Sequence, residues 1–247
     1  MDLGLNGKVA MVTGGGSGIG EAIVHRLAAE GATVVSADLN GDNAKAVAAA
    51  AGPAAEGVAL DISSWEQAQA TVRGIVDRHG RLDVLVNCAG AWRIGPFMDA
   101  PPEDWAFEVN TNLLGTINCT RAALDPMVAQ GGGKIVNISS DAARVGEFRQ
   151  AVYSGAKAGI IGFSKAVARE VGRSGIHINV VCPGYTKTQG TAGQLDPELE
   201  ARIAKSYPLR KLGLPDDVAK MAVFLASDGA SHITGQTISV SGGYSMV

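Results

Sequence analysis

Residues 8–20 read Lys-Val-Ala-Met-Val-Thr-Gly-Gly-Gly-Ser-Gly-Ile-Gly, and this stretch decides the fold. The apolar residues predict a strand from Val9 to Thr13, and the glycines predict a tight loop that opens a helix at Gly18. Glycine lets backbone N–H groups approach a ligand, and the helix N-terminus adds a partial positive charge. The stretch therefore predicts a phosphate-binding loop. The alternative is an ordinary glycine-rich turn between a strand and a helix.

The rest of the chain repeats this alternation of short apolar runs and longer Ala-rich stretches. Further strands are predicted at Thr33 to Asp38, Val58 to Leu60, Asp83 to Asn87, Lys134 to Ser139, His177 to Val181 and Thr237 to Val240. Helices are predicted at Gly18 to Glu30, Asp42 to Ala51, Ser64 to His79, Pro102 to Gln130, Ala151 to Ser174 and Pro215 to Ser227. Strict alternation implies right-handed crossovers. We therefore predict an α/β fold with one doubly wound, parallel, seven-stranded sheet of the Rossmann type.

The chain shows no Pro/Gly/Ser linker that would divide its 247 residues. A single dinucleotide-binding and catalytic domain over residues 1–247 is therefore expected. The longest interruption of the pattern runs from Gly184 to Pro208. It predicts a short helical lid over the substrate, at about residues 185–210, before the last helix.

Composition narrows the classes of partner and location. The net charge of −3, with acidic and basic residues interspersed, predicts neither nucleic-acid nor membrane binding. The four histidines and three unpaired cysteines show no metal-ligand spacing, so no metal site is predicted. No secretory signal and no apolar run of about 20 residues is visible, which predicts a cytoplasmic protein.

The end of the second predicted strand indicates which dinucleotide the loop would bind. Asp38 lies eighteen residues beyond Gly20, where a carboxylate can accept both hydroxyls of an adenine ribose. The same charge would repel a 2′-phosphate. The neighbouring positions hold Ser17 and Leu39 in place of a Lys or Arg that could neutralise such a phosphate. NAD is therefore predicted over NADP. A carboxylate that only caps a turn is the alternative for Asp38.

Tyr153 and Lys157 lie four residues apart in a predicted helix, so their side chains share one face. A phenol with a pKa near ~10 is a poor proton donor or acceptor at neutral pH. A neighbouring ammonium favours the phenolate, so we predict that Lys157 lowers the pKa of Tyr153 and makes it a general acid/base. Taken alone, the pair is more often an aromatic and a lysine that share a helix face by chance.

The sequence contains several short motifs along its length. They are Thr13 to Gly20, Asn87-Cys-Ala-Gly90, Thr111-Asn112-Leu, Asn137-Ile-Ser-Ser140, the Tyr153 and Lys157 pair, Pro183-Gly-Tyr-Thr-Lys-Thr188, Ile233-Thr-Gly-Gln and Ser241-Gly-Gly243. In this order and spacing, over nearly the full length, the chain closely resembles the short-chain dehydrogenase/reductase family. The resemblance implies a Rossmann-type oxidoreductase that uses a nicotinamide cofactor.

The resemblance also implies a catalytic set of Asn112, Ser140, Tyr153 and Lys157. Ser140 would hold and polarise a carbonyl oxygen, and Tyr153 would donate the proton in reduction or remove it in oxidation. Lys157 would also reach the nicotinamide ribose, and Asn112 would position a water through which protons reach Lys157. Donors at an oxygen that gains charge stabilise the transition state more than the ground state.

A larger set of residues is expected to contact the cofactor. It comprises Gly14, Ser17, Gly18, Ile19, Gly20, Asp38, Leu39, Asp61, Ile62, Asn87, Ala89, Gly90, Tyr153, Lys157, Pro183, Gly184, Thr186 and Thr188. Asp61 and Ile62 would flank the adenine, or else form a helix-capping turn. Thr186 and Thr188 would meet the carboxamide and pyrophosphate, although loop threonines without a ligand are equally common.

The substrate is the least determined feature of the sequence. The segments that would surround it contribute Trp92, Ile94, Arg144, Phe148, Arg149 and Tyr185, with Phe97, Val145, Arg93 and Lys187 nearby. The aromatic and aliphatic members predict an apolar pocket. The basic members would meet an anion at its mouth, or form a solvated surface.

The resemblance favours acyl thioester substrates such as a hydroxyacyl-CoA or hydroxyacyl-ACP, or a cyclic alcohol, oxidised with NAD as acceptor. Free alicyclic, aryl or steroid alcohols are the alternative substrates, and a non-catalytic NAD-binding sensor is an alternative of another class. Members of the family associate through two long helices, which correspond here to Pro102 to Gln130 and Ala151 to Ser174. A homotetramer or homodimer is therefore expected.

Overall fold

The computed structural model describes residues 2–191, 193 and 196–247. The strands within these ranges are β1 (Val9–Thr13), β2 (Thr33–Asp38), β3 (Ala55–Ala59), β4 (Val84–Asn87), β5 (Gly133–Ile138), β6 (Ile176–Pro183) and β7 (Thr237–Val240). All of them are parallel and form one sheet in the order β3-β2-β1-β4-β5-β6-β7. The predicted doubly wound, seven-stranded fold is confirmed.

Helices cover both faces of this sheet. They are α1 (Gly18–Ala29), α2 (Gly41–Ala51), α3 (Trp65–His79), α4 (Pro102–Val109), α5 (Gly115–Ala129), α6 (Ala142–Val145), α7 (Ala151–Val171), α8 (Pro197–Ser206) and α9 (Pro215–Leu225). Residues of α1, α2 and α9 pack in one apolar core, and residues of α3, α5 and α7 pack in the other. Because side chains alternate along a strand, Ala10 and Val12 enter the first core and Val9 and Met11 enter the second.

Four elements have a predicted boundary that was wrong by more than one residue. One is the helix predicted from Pro215 to Ser227, which ends at Leu225. The third strand runs over Ala55–Ala59 instead of Val58 to Leu60, because it pairs with β2 through Gly57, where hydrophobicity gives no signal. At Gly57 a side chain would collide with the backbone of α2, since an added Cβ would lie 2.3 Å from the Lys45 nitrogen. The α-helical part of the predicted helix from Ala151 to Ser174 ends at Val171 and continues as a 3-10 turn. The sixth strand continues to Pro183, two residues beyond its predicted end.

The stretch predicted as one helix from Pro102 to Gln130 is instead divided. A π-helical turn at Asn110–Leu114 separates α4 from α5. Such turns insert an extra residue into a helix and occur often at functional sites. This turn carries Asn112, one of the predicted catalytic residues.

The predicted lid contains α8, whose N-terminus is capped by the Asp196 side chain accepting the Leu199 N–H at 2.7 Å. Residues 192, 194 and 195 of this predicted lid lie outside the described residues. Across the described ranges, none of the helices combines the length and the apolar character needed to cross a membrane.

Candidate active site

The glycine loop lies at the carboxyl ends of β1 and β4, where the order of the sheet reverses. Gly20 packs directly on the loop, because a Cβ there would lie 2.0 Å from the Gly14 carbonyl oxygen. Gly18 has a φ of 58°, in the left-handed region, and a Cβ there would lie 3.3 Å from Thr188. The loop thus presents bare backbone at the start of α1, as a pyrophosphate requires. Ser17 lies directly before the first residue of α1, and Ile19 is the second residue of this helix.

Asp38 closes this cradle on the side of β2. Its carboxylate accepts the Gly16 N–H at 3.0 Å and the Asn40 N–H at 2.9 Å. Asp38 therefore does cap a turn, and the same hydrogen bonds fix its carboxylate beside the glycine loop. Leu39, the next residue, is 76 % exposed. Together these residues fit the adenosine end of a dinucleotide.

Three other residues predicted to contact the cofactor have structural partners. The Asp61 carboxylate accepts from the Ser63 N–H at 2.9 Å, as a turn before α3. The Ile62 side chain is buried in the core instead of flanking an open adenine site, and it contacts Gly115. The Asn87 amide is also buried, donating to Asn137 Oδ1 at 2.8 Å and to Thr120 Oγ1. The side chains of Ile62 and Asn87 are thus structural, which leaves their backbones for a ligand.

The segment after β6 brings the lid to the glycine loop. The Gly184 N–H donates to the Val240 carbonyl, which ties this segment to β7. The Thr186 hydroxyl donates to the Gly184 carbonyl at 3.0 Å, and the Thr188 N–H donates to Thr191 Oγ1 at 2.8 Å. A cavity of about 550 Å³ lies between the lid and α1, lined by residues that include Gly18, His25, Tyr185, Lys187 and Thr188.

Two of the predicted catalytic residues, Asn112 and Lys157, meet beside Gly90, just after the end of β4. A Cβ at Gly90 would lie 2.8 Å from Asn112 Oδ1 and 3.1 Å from Lys157 Nζ, so only glycine leaves both groups in place. Ala89 lies on the opposite side, against Gly14 of the glycine loop. The cradle and the reacting groups therefore share one short segment, Ala89-Gly90.

Lys157 is 3 % exposed and its ammonium is held inside the protein. Its Nζ donates to the Ile138 carbonyl at 2.9 Å, and its own carbonyl accepts from Ser139 Oγ at 2.8 Å. Burial lowers the pKa of Lys157 to about 8. The side chain is thus fixed at the carboxyl end of β5 and changes charge close to neutral pH.

The predicted direction of the Tyr153 pKa was wrong for the protein's own groups. Burial raises the pKa of Tyr153 to about 12, and a hydrogen bond with Ser140 opposes this only in part. Lys157 Nζ lies 5.8 Å from the centre of the Tyr153 ring, but the same burial penalises both charged forms. Without a further positive charge, Tyr153 is therefore a protonated phenol at neutral pH.

Asn112 is fully buried within the π-helical turn. Its amide nitrogen donates to the Ala91 carbonyl at 2.6 Å and to the Glu108 carbonyl at 2.8 Å, while its Oδ1 accepts from the Ala91 N–H. The Asn112 carbonyl accepts from Thr116 Oγ1 at 2.8 Å. The turn thereby fixes the segment after β4 against the centre.

The predicted substrate residues do not all face one pocket. Trp92 meets the Tyr153 ring edge to face, with 6.3 Å between ring centres. Ile94 and Phe148 are exposed, with Phe148 at 86 %. Tyr185 lines the cavity under the lid, and its backbone N–H donates to the Tyr207 hydroxyl at 2.9 Å.

The predicted basic rim is largely committed to the protein. Arg144 instead donates to Ser239 Oγ at 3.1 Å, on β7. Arg93 pairs with Asp104, and Lys187 pairs with Glu200 at 2.7 Å. Arg149 has a φ of 64° and lines a second cavity, of about 200 Å³.

Two features of the site were missed from the sequence. Glu108 is buried next to Asn112, although its place in an apparently ordinary helix gave no signal. Tyr207 and Tyr244 stack with ring centres 5.1 Å apart, and Tyr244 donates to Glu147, which links the lid to the segment before Tyr153. Within the described ranges, no group of three or more candidate ligands could hold a metal ion.

Comparison with known proteins gives the family. Residues 14–245 match the model for a family described as Enoyl-(Acyl carrier protein) reductase. The 3-oxoacyl-(acyl-carrier-protein) reductase FabG of Vibrio harveyi is 38 % identical over 245 residues, which are 99 % of this chain and 100 % of that protein. The acetoacetyl-CoA reductase of Shinella zoogloeoides is 41 % identical over 239 residues, which are 96 % of this chain and 98 % of the relative.

A solved structure agrees with these sequence matches. The crystal structure of a putative short-chain alcohol dehydrogenase from Sinorhizobium meliloti 1021 superposes with a TM-score of 0.94 at 35 % identity. The superposition covers 99 % of this chain and 98 % of the chain in the solved structure. The fold, the matched length and the identities lead to one conclusion: the chain belongs to the short-chain dehydrogenase/reductase family of oxidoreductases.

Proposed function

We propose that the protein is an NAD-dependent dehydrogenase/reductase that transfers a hydride between nicotinamide and a secondary alcohol or its ketone. One observation carries this proposal. Asn112 and Lys157 approach the same point at Gly90, and Tyr153, which is hydrogen-bonded to Ser140, lies one helical turn from Lys157. A non-catalytic sensor would have no use for this arrangement of proton-transferring groups.

The residues divide the reaction among them. Ser140 binds the substrate oxygen, and the Tyr153 hydroxyl gives it a proton in reduction or takes one in oxidation. Lys157 supplies a buried positive charge beside the phenol, and Asn112 holds the segment that carries Trp92. When bound, the nicotinamide supplies or accepts the hydride, and in its oxidised form adds a positive charge that favours the phenolate.

We propose NAD as the cofactor because of Asp38. Its carboxylate is fixed beside the glycine loop by the Gly16 and Asn40 N–H groups. It can accept the two ribose hydroxyls and would repel a 2′-phosphate. Neither Ser17 nor Leu39 offers a compensating positive charge.

The substrate class follows from the relatives and from the pocket. Two relatives are named as reductases of 3-oxoacyl-(acyl-carrier-protein) and of acetoacetyl-CoA, so we propose a hydroxyacyl or oxoacyl thioester. Trp92, Ile94 and Phe148 supply apolar surface for an acyl chain. Free cyclic alcohols are the second candidate, because this same surface also suits a carbon ring.

A substrate panel tests this function. Acetoacetyl-CoA, a longer 3-oxoacyl thioester and two cyclic ketones are incubated with NADH or NADPH, and absorbance is followed near 340 nm. We expect the highest kcat/KM for a thioester with NADH. Activity restricted to the cyclic ketones would reject the thioester assignment, and comparable values with NADPH would reject NAD.

We also propose a single domain that assembles as a homo-oligomer. Leu114 and Val128, at the ends of α5, are exposed, and Gly155 and Gly162 leave an open face on α7. Such faces suit helix packing between identical subunits. Light scattering on the purified protein would give the mass of a tetramer or dimer, and the mass of one chain would contradict the proposal. The free thiols of Cys88, Cys119 and Cys182 agree with the cytoplasmic location we propose.

A further inference from the structure

Glu108 is an unusual residue for its position in the fold. It is the buried side chain of α4, at 4 % exposure, where an apolar residue would ordinarily face the protein. A buried carboxylate costs free energy unless it is hydrogen-bonded or paired. Its retention at this place therefore calls for a local function.

The contacts of Glu108 lead to the active centre. Its Oε1 accepts the Arg93 N–H at 2.6 Å, and its carbonyl accepts the Asn112 amide at 2.8 Å. Asn112 holds Ala91 on the other side, through two further hydrogen bonds. Trp92 lies between these two anchored residues and packs against the Tyr153 ring. Glu108 thus fixes one wall of the Tyr153 site.

Charged groups of both signs surround Glu108. The Arg93 guanidinium lies 3.5 Å from Asp104 and 4.6 Å from the centre of the Phe107 ring, so it is shared with other groups. Arg149 and Asp99 line the same 200 Å³ cavity as Glu108. Burial of Tyr153 is the main cause of its raised pKa, and the negative charge of Glu108 is a smaller cause in the same direction.

The other groups around Tyr153 act in different directions. Ser140 lowers the pKa of Tyr153 through its hydrogen bond, and the thiols of Cys88 and Cys182 raise it. Lys157 is the nearby cation, with Nζ 5.8 Å from the ring centre. Glu108 is the carboxylate within this set.

We propose that Glu108 is a positioning residue of the active site: its buried carboxylate holds Trp92 against Tyr153 and places a negative charge behind that wall of the site. The inference rests on the proton-transfer role proposed above for Tyr153. In reduction, hydride adds to the carbonyl carbon while the Tyr153 proton passes to the oxygen, leaving a phenolate that must be reprotonated. A neighbouring carboxylate opposes that phenolate, so it favours the protonated state at neutral pH and moves oxidation to higher pH.

The direct test reads the Tyr153 hydroxyl without any substrate. The protein is labelled with 3-fluorotyrosine, whose hydroxyl is more acidic than that of tyrosine, and titrated by ¹⁹F NMR. The Tyr153 resonance is the one missing from Tyr153→Phe. In Glu108→Gln, which removes the charge and keeps an acceptor for the Arg93 N–H, we expect its pKa to fall by about half a pH unit or more. Glu103→Gln removes an exposed carboxylate from the same helix and should leave it unchanged.

Two further measurements keep the inference falsifiable. Glu108→Asp retains the charge but shortens the side chain, so it should keep the pKa of Tyr153 near the wild-type value while raising KM. In the panel assay, Glu108→Gln should move the pH profile of oxidation to lower pH, increasing oxidation at pH 7. An unchanged Tyr153 titration in Glu108→Gln would overturn the inference, even if the enzyme proved inactive on every substrate tested. If Glu108→Gln does not fold, Glu108→Asp carries the test: a wild-type KM in that variant would overturn the inference, because shortening the side chain must disturb the segment that holds Trp92.

Discussion

The cofactor cradle and the proton-transfer centre lie side by side, yet they are built in opposite ways. The cradle consists mainly of the backbone of one glycine loop, with Asp38 as its charged side chain. The centre consists of polar side chains from the π-helical turn, the segment after β5 and α7, with Lys157 and Asn112 almost inaccessible to water. The cradle offers the partial charges of backbone groups to a ligand, whereas the centre holds ionisable side chains whose protonation is decided by burial.

This difference predicts that substitutions in the two regions affect activity and stability in different ways. Changes in the cradle should alter binding and cofactor preference, with little effect on the chemical step. Changes in the centre should alter turnover, pH dependence and stability together, because buried ionisable groups destabilise the fold that positions them.

The largest expected effect is the loss of turnover in Tyr153→Phe. Removing a general acid/base costs about 10²–10⁴-fold in rate, so kcat should fall by at least two orders of magnitude. The cradle is unchanged, so the dissociation constant for NADH, measured by fluorescence, should stay within about threefold. Near wild-type kcat would remove Tyr153 from the proton-transfer step.

The next effect belongs to the cradle and separates it from the centre. Asp38→Asn keeps the shape of the turn but removes the charge, so the ratio of kcat/KM for NAD to that for NADP should drop by about 10–100-fold, since hydrogen bonds to charged groups contribute ~1.5–3 kcal/mol. Steady-state kinetics with both cofactors measure it, with Asp42→Asn on α2 as the control. An unchanged ratio would exclude Asp38 as the discriminating residue.

A smaller effect tests whether the centre destabilises the fold. The pKa of Lys157 is lowered in the folded protein, so its buried charge opposes folding fully below about pH 8. That penalty disappears as the pH rises toward the ordinary lysine value near ~10.4. The lowered pKa corresponds to a penalty of about 3 kcal/mol at pH 7. Lys157→Met should therefore raise the free energy of unfolding by about 2 kcal/mol, once ~1 kcal/mol is subtracted for the lost hydrogen bond to Ile138, while turnover is lost.

Denaturant unfolding at pH 7 and at pH 10 measures this effect. The gain should be smaller at pH 10, and Lys165→Met on the exposed side of α7 should show neither the gain nor its pH dependence. A Lys157→Met protein that is less stable than wild type at pH 7 would contradict a destabilising buried charge.

The smallest expected effect concerns the pocket mouth. Arg144 hydrogen-bonds to Ser239 on β7, so Arg144→Gln should change KM for acetoacetyl-CoA by less than twofold. The matched change Arg149→Gln removes a cation from the cavity next to the Tyr153 site. A large rise in KM for Arg144→Gln alone would restore Arg144 as a substrate contact.

The sequence was most informative where local residues determine the structure. Strand and helix periodicity, the glycine loop and the turn at Asp38 predicted the sheet and the cradle, because each depends on residues close together in the chain. The π-helical turn was not predicted, because hydrophobic periodicity runs through it. The burial of Ile62 and Asn87 depends on partners 53 and 33 residues away, Gly115 and Thr120. The direction of the Tyr153 pKa was mispredicted because burial, which the spacing of Tyr153 and Lys157 does not report, outweighs a nearby charge.

The most direct test of the central claim follows the hydride itself. Stereospecifically deuterated NADH is mixed with the ketone that the panel shows to be turned over fastest, and the alcohol product is analysed by mass spectrometry. The account predicts one deuterium on the carbon that bears the new hydroxyl, with Tyr153→Phe forming almost no product. An alcohol that forms without deuterium from either face of the cofactor would contradict hydride transfer from the nicotinamide.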